Sequence, residues 1–265
     1  MHSNYNMLYI YGLIPTQPGL EIGKDRNSPV YPPERGWGYY VAINRHTWHI
    51  NDMRYEKLQE IVGNEPLFET GLLLAGDVDP ASVRRQLSRL TASGRLLQLR
   101  RGLYALAPPY QKVKPHPFLV ANYIMRPSYV SLQSALAHYG LIPEYVPVVT
   151  SVTTSRPGRW NTALGDFDYR HIKTDLFFAY RVEDLGGEQT ALVATPEKAL
   201  LDLLYLQPGS DQPAYLQELR LENLESLDIN SLKGLAQESG SPKLRKAVKR
   251  VEEMARALVG EYETL

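Results

Sequence analysis

The hydrophobic and polar positions between residues 53 and 74 alternate with a helical period. An amphipathic pattern opens at Met53 and has one apolar side made of Leu58, Ile61 and Val62. The stretch FETGLLL (68–74) predicts a second helix, and the glycine- and aspartate-rich turn AGDVDP follows it. The pattern therefore predicts two short helices and a turn that leads into a third.

The third predicted helix has clear start and stop signals. Asp79 is a good N-cap, and Pro80 suits the first helical position because its fixed φ fits a helix and its missing N–H would be unpaired there anyway. Gly94 is placed to end the helix in the left-handed conformation. The apolar positions recur at i, i+4 and i+7, so the predicted buried side consists of Val83, Leu87 and Leu90.

Two short apolar strands are predicted directly after this helix. The sequence LLQLRRGLYALAP (96–108) is apolar on both sides of Arg100, Arg101 and Gly102, as in a β-hairpin. Three helices followed by a hairpin are the order of a winged helix-turn-helix, a fold that binds DNA. We therefore predict a winged helix-turn-helix domain over residues 53–110.

The remainder of the chain, residues 111–265, mixes helices and strands. Helices are predicted at 116–125, 131–139 and 196–206, and strands at 146–154, 166–173, 176–182 and 190–194. The end of the chain is helical, and its apolar stripe consists of Leu244, Val248, Val251, Met254 and Leu258. The expected fold class is α+β, with an N-terminal winged helix-turn-helix followed by a larger mixed α/β domain and a helical tail.

Residues 1–52 differ in character from the rest of the chain. Tyrosines, glycines and prolines are scattered there without a lasting helical period, and only residues 39–48 have the aromatic and β-branched content of a strand. We interpret the segment as an N-terminal extension of irregular structure or short strands. One hypothesis is that the protein starts at Met53.

Composition limits the class of protein. The 29 lysines and arginines balance the 29 aspartates and glutamates, so a basic surface has to be local. The absence of cysteine excludes disulfides, thiolate nucleophiles and cysteine-ligated metals. Because there is no apolar run of about 18 residues and no signal-peptide pattern, we expect a cytoplasmic protein without a membrane span.

Positive charge is concentrated between Pro80 and Arg101, where the chain has six arginines and no acidic residue. Arginine can donate two hydrogen bonds to guanine, glutamine can pair with adenine, and serine suits bases or phosphates. We therefore expect the segment to bind double-stranded DNA. The predicted DNA-binding residues are Ser82, Arg84, Arg85, Gln86 and Arg89 on the helix, and Arg95, Arg100 and Arg101 on the loop and wing.

Two alternatives remain for this segment. One is a solvated, charged helix face beside a β-hairpin, and the other is a protein-interaction module whose winged helix contacts protein instead of DNA. Salt dependence separates DNA binding from protein contact, since DNA binding weakens steeply as salt rises and a protein-binding module ignores DNA.

A second group of residues has the chemistry of a metal-dependent nuclease: Asp166, Asp168, His171, Asp175, Glu197 and Lys198. We prefer a structural interpretation, because the two aspartates alternate with aromatic residues as on a half-buried strand, and Thr195-Pro196-Glu197 is an ordinary helix start. The chain also lacks a nucleophile elbow, a P-loop and a dinucleotide-binding glycine motif. We expect no catalytic residue, metal or cofactor.

Two blocks of the sequence resemble the AbiEi family of antitoxin regulators. The first is SVRRQLSRLTASGRLLQLRRGLYALAP (82–108), which is similar to the end of the family's winged helix-turn-helix. The second runs from YVSLQSALAHYGLIPE (129–144) through VTTSRPGRWNTALGDFDYRHI (152–172) to ALVATPEKALLDLLYL (191–206). Together they cover most of residues 53–206, whereas the first 52 residues and the tail beyond 207 depart from the pattern.

This resemblance implies a function in a toxin–antitoxin operon. The winged helix-turn-helix is expected to repress the protein's own operon by binding inverted repeats. Residues 111–265 are expected to form an antitoxin domain that counteracts a nucleotidyltransferase-like toxin, directly or indirectly. No enzymatic activity is implied, and a stand-alone winged-helix regulator remains the alternative.

The hypothesis of a start at Met53 can be tested by deletion. We expect a protein that begins at Met53 to unfold with the same cooperative transition as the full chain and to bind the same DNA. Circular dichroism and a gel-shift assay measure the two properties, and loss of either one contradicts the hypothesis.

Overall fold

The computed structural model describes residues 55–75 and 78–262, and side chains up to residue 257. These residues belong to one compact unit, His49–Leu265. They form a mixed α+β fold with a small antiparallel sheet and a six-stranded mixed sheet. The strand predicted at 39–48 and the start of the first helix at Met53 lie outside the described residues. The domain boundary at residue 110 stays a prediction.

The first part of the described chain packs three helices against the small sheet. The helices are α1 (Tyr55–Val62), α2 (Thr70–Leu73) and α3 (Pro80–Ala92), and the strands are β1 (Phe68–Glu69), β2 (Leu96–Arg100) and β3 (Leu103–Leu106). The strand order is β1-β3-β2, and both pairings are antiparallel. The shared core consists of Tyr55, Leu58, Val62, Phe68, Leu73, Val83, Leu87, Leu96, Tyr104 and Leu106.

The second helix predicted at 68–74 is wrong in its first two residues. Phe68 and Glu69 form a strand that pairs with β3, and only Thr70–Leu73 is helical. The Phe68 ring is buried and stacks on the ring of Tyr104, with 5.8 Å between centroids. This tertiary packing outweighs the local helical pattern, because a strand's stability depends on what its side chains pack against.

The second part of the described chain is built around the six-stranded sheet. Its strand order is β6-β7-β5-β4-β9-β8. The pairs β4–β9 and β5–β7 are parallel, and the other pairs are antiparallel. The strands are β4 (Ser128–Val130), β5 (Val148–Thr153), β6 (Gly158–Thr162), β7 (Gly165–His171), β8 (Tyr180–Asp184) and β9 (Thr190–Ala194).

Six further helices accompany this sheet among the described residues: α4 (Pro117–Ile124), α5 (Leu132–His138), α6 (Pro196–Leu206), α7 (Pro213–Glu218), α8 (Ile229–Glu238) and α9 (Pro242–Tyr262). The prediction of a helix at 196–206 is confirmed, and those at 116–125 and 131–139 are confirmed within two residues. The sequence pattern missed two strands. β4 has only three residues, and β6 is a partly exposed edge strand without strong apolar alternation.

The strand predicted at 176–182 begins later than expected. A single 3-10 turn, Thr174–Leu176, buries Leu176, and the strand starts at Tyr180. The tail helix agrees with its apolar pattern, since Leu244, Val248 and Val251 are fully buried. It packs on α6 and α8. Over the residues described, no helix combines the length and apolarity needed to cross a bilayer.

A buried ion pair connects α6 to the sheet. Lys198 and Asp202 lie one turn apart on α6, both are buried, and the lysine ammonium donates to Asp202 Oδ1. The other carboxylate oxygen accepts hydrogen bonds from the hydroxyls of Tyr129 (3.0 Å) and Ser131 (2.8 Å). Burial and the nearby carboxylate raise the pKa of Tyr129 well above its ordinary value, so its hydroxyl stays protonated as a donor. Three donors thus hold the Asp202 carboxylate.

Removing one partner of this pair tests its contribution to stability. Asp202→Ala leaves the Lys198 charge buried without compensation, and we expect it to lower the free energy of unfolding by about 3–5 kcal/mol. The matched double variant Lys198→Met, Asp202→Asn removes both charges at similar volume, keeps a side-chain oxygen at position 202, and is expected to recover part of that loss. Urea unfolding followed by circular dichroism measures both. Equal stability of Asp202→Ala and the unchanged protein contradicts the assignment.

Candidate nucleic-acid interface

The start of α3 is fixed by its cap. The carboxylate of Asp79 accepts hydrogen bonds from the backbone N–H groups of Ala81 (3.0 Å) and Ser82 (2.9 Å), and Pro80 occupies the first helical position. After the helix, Gly94 has φ +72°, a left-handed conformation that costs glycine little. The predicted cap, proline and glycine stop are therefore confirmed.

The inward side of α3 agrees with the apolar pattern. Val83 and Leu87 are buried, and Leu90 packs partly buried against the same core. The opposite side presents the exposed residues Arg84, Arg85, Ser88 and Arg89, which we call the α3 surface. Ser82 and Gln86 are half-buried and flank it. The structure thus brings three of the predicted DNA-binding arginines together on one exposed side.

The arginines of the α3 surface have few internal partners. Within the described part of the chain, neither Arg84 nor Arg89 has an ion pair or a side-chain hydrogen bond. Arg85 lies 3.5 Å from the Asp79 carboxylate, but both side chains are more than half exposed, so this pair contributes little. Asp79 is the nearest acid along the chain, and its carboxylate already caps the helix. The α3 surface is therefore strongly cationic.

Arg95 and Arg101 are exposed beyond the helix. The guanidinium of Arg95 lies 5.0 Å from the centroid of the Tyr55 ring, a cation–π contact that leaves its N–H groups open to solvent. Arg101 is at the tip of the hairpin, beside Gly102, whose φ of +83° makes the tight turn. Gly102 O accepts the N–H of Thr70 at 2.9 Å, so the tip is fixed next to the start of α2.

Arg100 has a different environment from the other five arginines. Its Nε donates to the carbonyl oxygen of Tyr123 at the end of α4 (3.1 Å), and its Nη2 donates to Glu69 Oε1 (2.9 Å). Its Nη1 also donates to the carbonyl oxygen of Arg101 (3.1 Å). Three of its donors are therefore engaged. We therefore interpret Arg100 as a tether, a side chain that connects the hairpin to α4. Its predicted phosphate contact stays a prediction.

Three of the four acidic residues considered for a nuclease, Asp166, Asp168 and Glu197, have separate structural partners. Asp166 accepts from Asn161 (2.8 Å) and Asp168 from Arg159 (3.2 Å), both across β6 and β7. Glu197 accepts the backbone N–H of Asp228 at 3.0 Å, and Lys198 is in the buried pair described above. In the part of the chain that the structure describes, no three acidic or histidine side chains are grouped to hold a metal ion.

The alternation expected for the strand 166–173 is confirmed. Phe167 and Tyr169 are buried, whereas Asp166 is exposed and Asp168 is half-buried. Thr195 caps α6 by accepting the N–H of Lys198, which confirms the helix start predicted there. These residues are thus placed by ordinary strand and helix structure.

Sequence reasoning missed three residues near the candidate interface. Ser88 lies at i+4 from Arg84 and i+3 from Arg85, so helical geometry alone could have placed it on the same side. Arg126, after α4, and Arg156, between β5 and β6, line a cleft together with Arg100. No local pattern identifies these two, because only the tertiary fold brings them to the hairpin.

Comparison of the chain with known protein families and with curated proteins finds no match. The AbiEi resemblance therefore stays a prediction carried by the two sequence blocks.

The different environments of Arg100 and Arg101 give a matched pair of variants. Arg100→Ala removes hydrogen bonds between charged or partly buried groups, so we expect the free energy of unfolding to fall by about 1–3 kcal/mol. Arg101→Ala removes an exposed side chain and should change it by less than about 0.5 kcal/mol. Urea unfolding measures both. If the two variants are equally stable, the tether is not a stabilising contact.

Proposed function

We propose that this protein is a DNA-binding transcriptional regulator in which residues 55–106 form a winged helix-turn-helix. The order of elements supports this proposal: a helix, a short strand, two further helices and a hairpin, with all of them sharing one core. In this proposal α3 is the recognition helix and enters the major groove, and the turn between β2 and β3 is the wing.

One observation carries the proposal: the guanidinium groups on the α3 surface have few internal partners. A guanidinium that is already bound to an internal carboxylate must break that pair before it can bind DNA. Arg84 and Arg89 have no such pair among the described residues, and Arg85 has only an exposed, weak one. Their donors are therefore available for phosphates and base edges at low cost.

The arginines are proposed to divide between two kinds of contact. Arg85 and Arg89 are proposed to read guanine through bidentate hydrogen bonds, and Gln86 to pair with adenine, because these side chains match the donors and acceptors of the major groove. Arg84, Arg95 and Arg101 are proposed to bind phosphates or enter the minor groove, and Ser82 to bind a base or a phosphate. The first set would give sequence specificity and the second set would give affinity.

We further propose, from the AbiEi resemblance, that the regulated genes encode a toxin–antitoxin pair. The chain would repress its own operon at inverted repeats in the promoter. Residues 111–265 would counteract a nucleotidyltransferase-like toxin, either directly or indirectly. Two features support a separate task for this part: it makes up more than half of the chain, and it contains the whole six-stranded sheet.

The double variant Arg85→Ala, Arg89→Ala tests the DNA-binding proposal. We expect each substitution to weaken binding to the operator by about 1–3 kcal/mol and to relax discrimination between bases. Fluorescence anisotropy with a labelled duplex from the region upstream of the coding sequence measures the affinity. Arg245→Ala is the matched control, since Arg245 is an exposed arginine on α9 without an ion pair in the described residues.

Unchanged affinity of the double variant would contradict the assignment of α3 as the recognition helix. If the unchanged protein does not bind the duplex at any salt concentration, the DNA-binding proposal fails, and the protein-interaction module is the alternative that is left.

The antitoxin proposal has its own test in cells. We expect a nucleotidyltransferase-like reading frame that overlaps or directly follows the gene. Cells that express this toxin alone should stop growing, and co-expression of this chain should restore their growth. The double variant Arg85→Ala, Arg89→Ala should lose repression of an operon reporter and still restore growth, because the substitutions lie outside the proposed antitoxin domain. Loss of both properties together argues against two separable functions.

A further inference from the structure

A cleft of about 750 Å³ lies between the hairpin and the six-stranded sheet. Its sides come from the end of β2, the segment that follows α4, and the loop between β5 and β6. Its lining residues include Arg100, Arg126, Arg156, Pro157 and Trp160. None of the residues that line it is acidic, so the cleft combines three guanidinium groups with an apolar surface.

The charge of this cleft is only partly neutralised. Glu69 binds Arg100 at 2.9 Å and lies 3.7 Å from Arg126, so one carboxylate serves two arginines. Arg126 also stacks on the ring of Tyr123, at 4.3 Å from its centroid. Arg156 is exposed and has no ion pair in the part of the chain that the structure describes. Three positive charges against one negative charge leave an excess of two.

Hydrogen bonds hold the walls of the cleft in place. The hydroxyl of Thr153 donates to the carbonyl oxygen of Pro127 (2.6 Å) and accepts the N–H of Ser155 (3.0 Å). It therefore joins the segment after α4 to the loop that bears Arg156. Ser155 O also lies 3.1 Å from Nδ1 of His171 on β7, a bond that the Nδ1-protonated tautomer donates. The position of the Arg156 backbone is thus set before any ligand binds.

The apolar wall of the cleft depends on Gly158. A Cβ atom at this residue would lie 2.8 Å from Cζ3 of the Trp160 ring, so any larger residue here would have to displace the indole. The same indole packs edge-on against the ring of Tyr169, with 5.2 Å between centroids. A flat, fixed apolar surface therefore stands beside the guanidinium groups.

We infer that this cleft binds the sugar–phosphate backbone of the DNA, on the flank next to the wing. The inference rests on the proposed function and extends it to the larger sheet. Two observations favour DNA as the occupant. The cleft has the charge to bind phosphates and an apolar wall for the sugar. It is also continuous with the hairpin, because Arg100 lines it and the exposed Arg101 follows in the chain.

Substitutions of Arg156 test the cleft by itself, because this residue lies in the cleft and outside the proposed winged helix-turn-helix. We expect Arg156→Ala to lower the affinity for the upstream duplex for all sequences alike, and Arg156→Glu to lower it further. The slope of log affinity against log salt concentration should become shallower by about 0.9 for one lost phosphate contact. Anisotropy titrations over a series of salt concentrations measure it, with Arg245→Ala and Arg245→Glu as matched controls.

The outcomes distinguish this inference from the proposed function. If Arg85→Ala, Arg89→Ala weakens binding but Arg156→Glu leaves affinity and slope unchanged, the cleft does not bind DNA and the proposed function stands. Equal losses in the Arg156 and Arg245 variants also overturn the inference, because the effect is then one of net charge. If the unchanged protein binds no duplex, the proposed function itself fails, and the inference with it.

Discussion

The burial of Val83 and Leu87 is the constraint on which the proposed DNA surface depends. Both side chains lie in the core shared by α1, α3 and the small sheet, and this sets the rotation of α3 about its axis. Because a helix turns by about 100° per residue, the arginines at positions 84, 85 and 89 then have to lie on the exposed side. Burying apolar side chains therefore orients the charged ones.

Net charge alone would have hidden this surface. The chain as a whole is neutral, yet its cations and anions are distributed unevenly. In the tail helix several cations have internal acceptors: Lys246 binds the Asp211 carboxylate, Arg250 binds the carbonyl oxygen of Asp211, and Lys243 binds the carbonyl oxygens of Tyr205 and Gln207 at the end of α6. On α3, Arg84 and Arg89 have no such partner within the described part of the chain, and Arg85 has only its exposed pair with Asp79. The difference between these two basic helices lies in their neighbours.

Much of the first part of the fold could be predicted from sequence, because its signals are local. Asp79, Pro80 and Gly94 act within one turn of the chain, and the alternation around Arg101 and Gly102 is that of a hairpin. Glu69 and Phe68 could not be placed in the same way, since their strand exists only through pairing with β3. The cleft beside the hairpin was also beyond prediction, because Arg126 and Arg156 reach Arg100 only through the tertiary fold.

The hydrogen bonds of Arg100 link the first part of the described chain, with the small sheet, to the second part, with the six-stranded sheet. Its bond to the carbonyl oxygen of Tyr123 holds the hairpin against α4, which packs on the larger sheet, and its bond to Glu69 holds the side chain against β1. A surface on that sheet can then act together with α3 without any movement of the hairpin. The same arrangement means that damage to the tether would disturb the proposed wing and the cleft together.

Sequence-specific DNA binding by α3 is measured most directly as a ratio of two dissociation constants for the unmodified protein. One duplex comes from the region upstream of its own coding sequence, and the other has the same composition in scrambled order. At about 150 mM salt, a sequence-specific regulator should bind the first duplex at least about 1,000-fold more tightly. Equal dissociation constants, or no binding to either duplex, would contradict the claim that α3 reads DNA sequence.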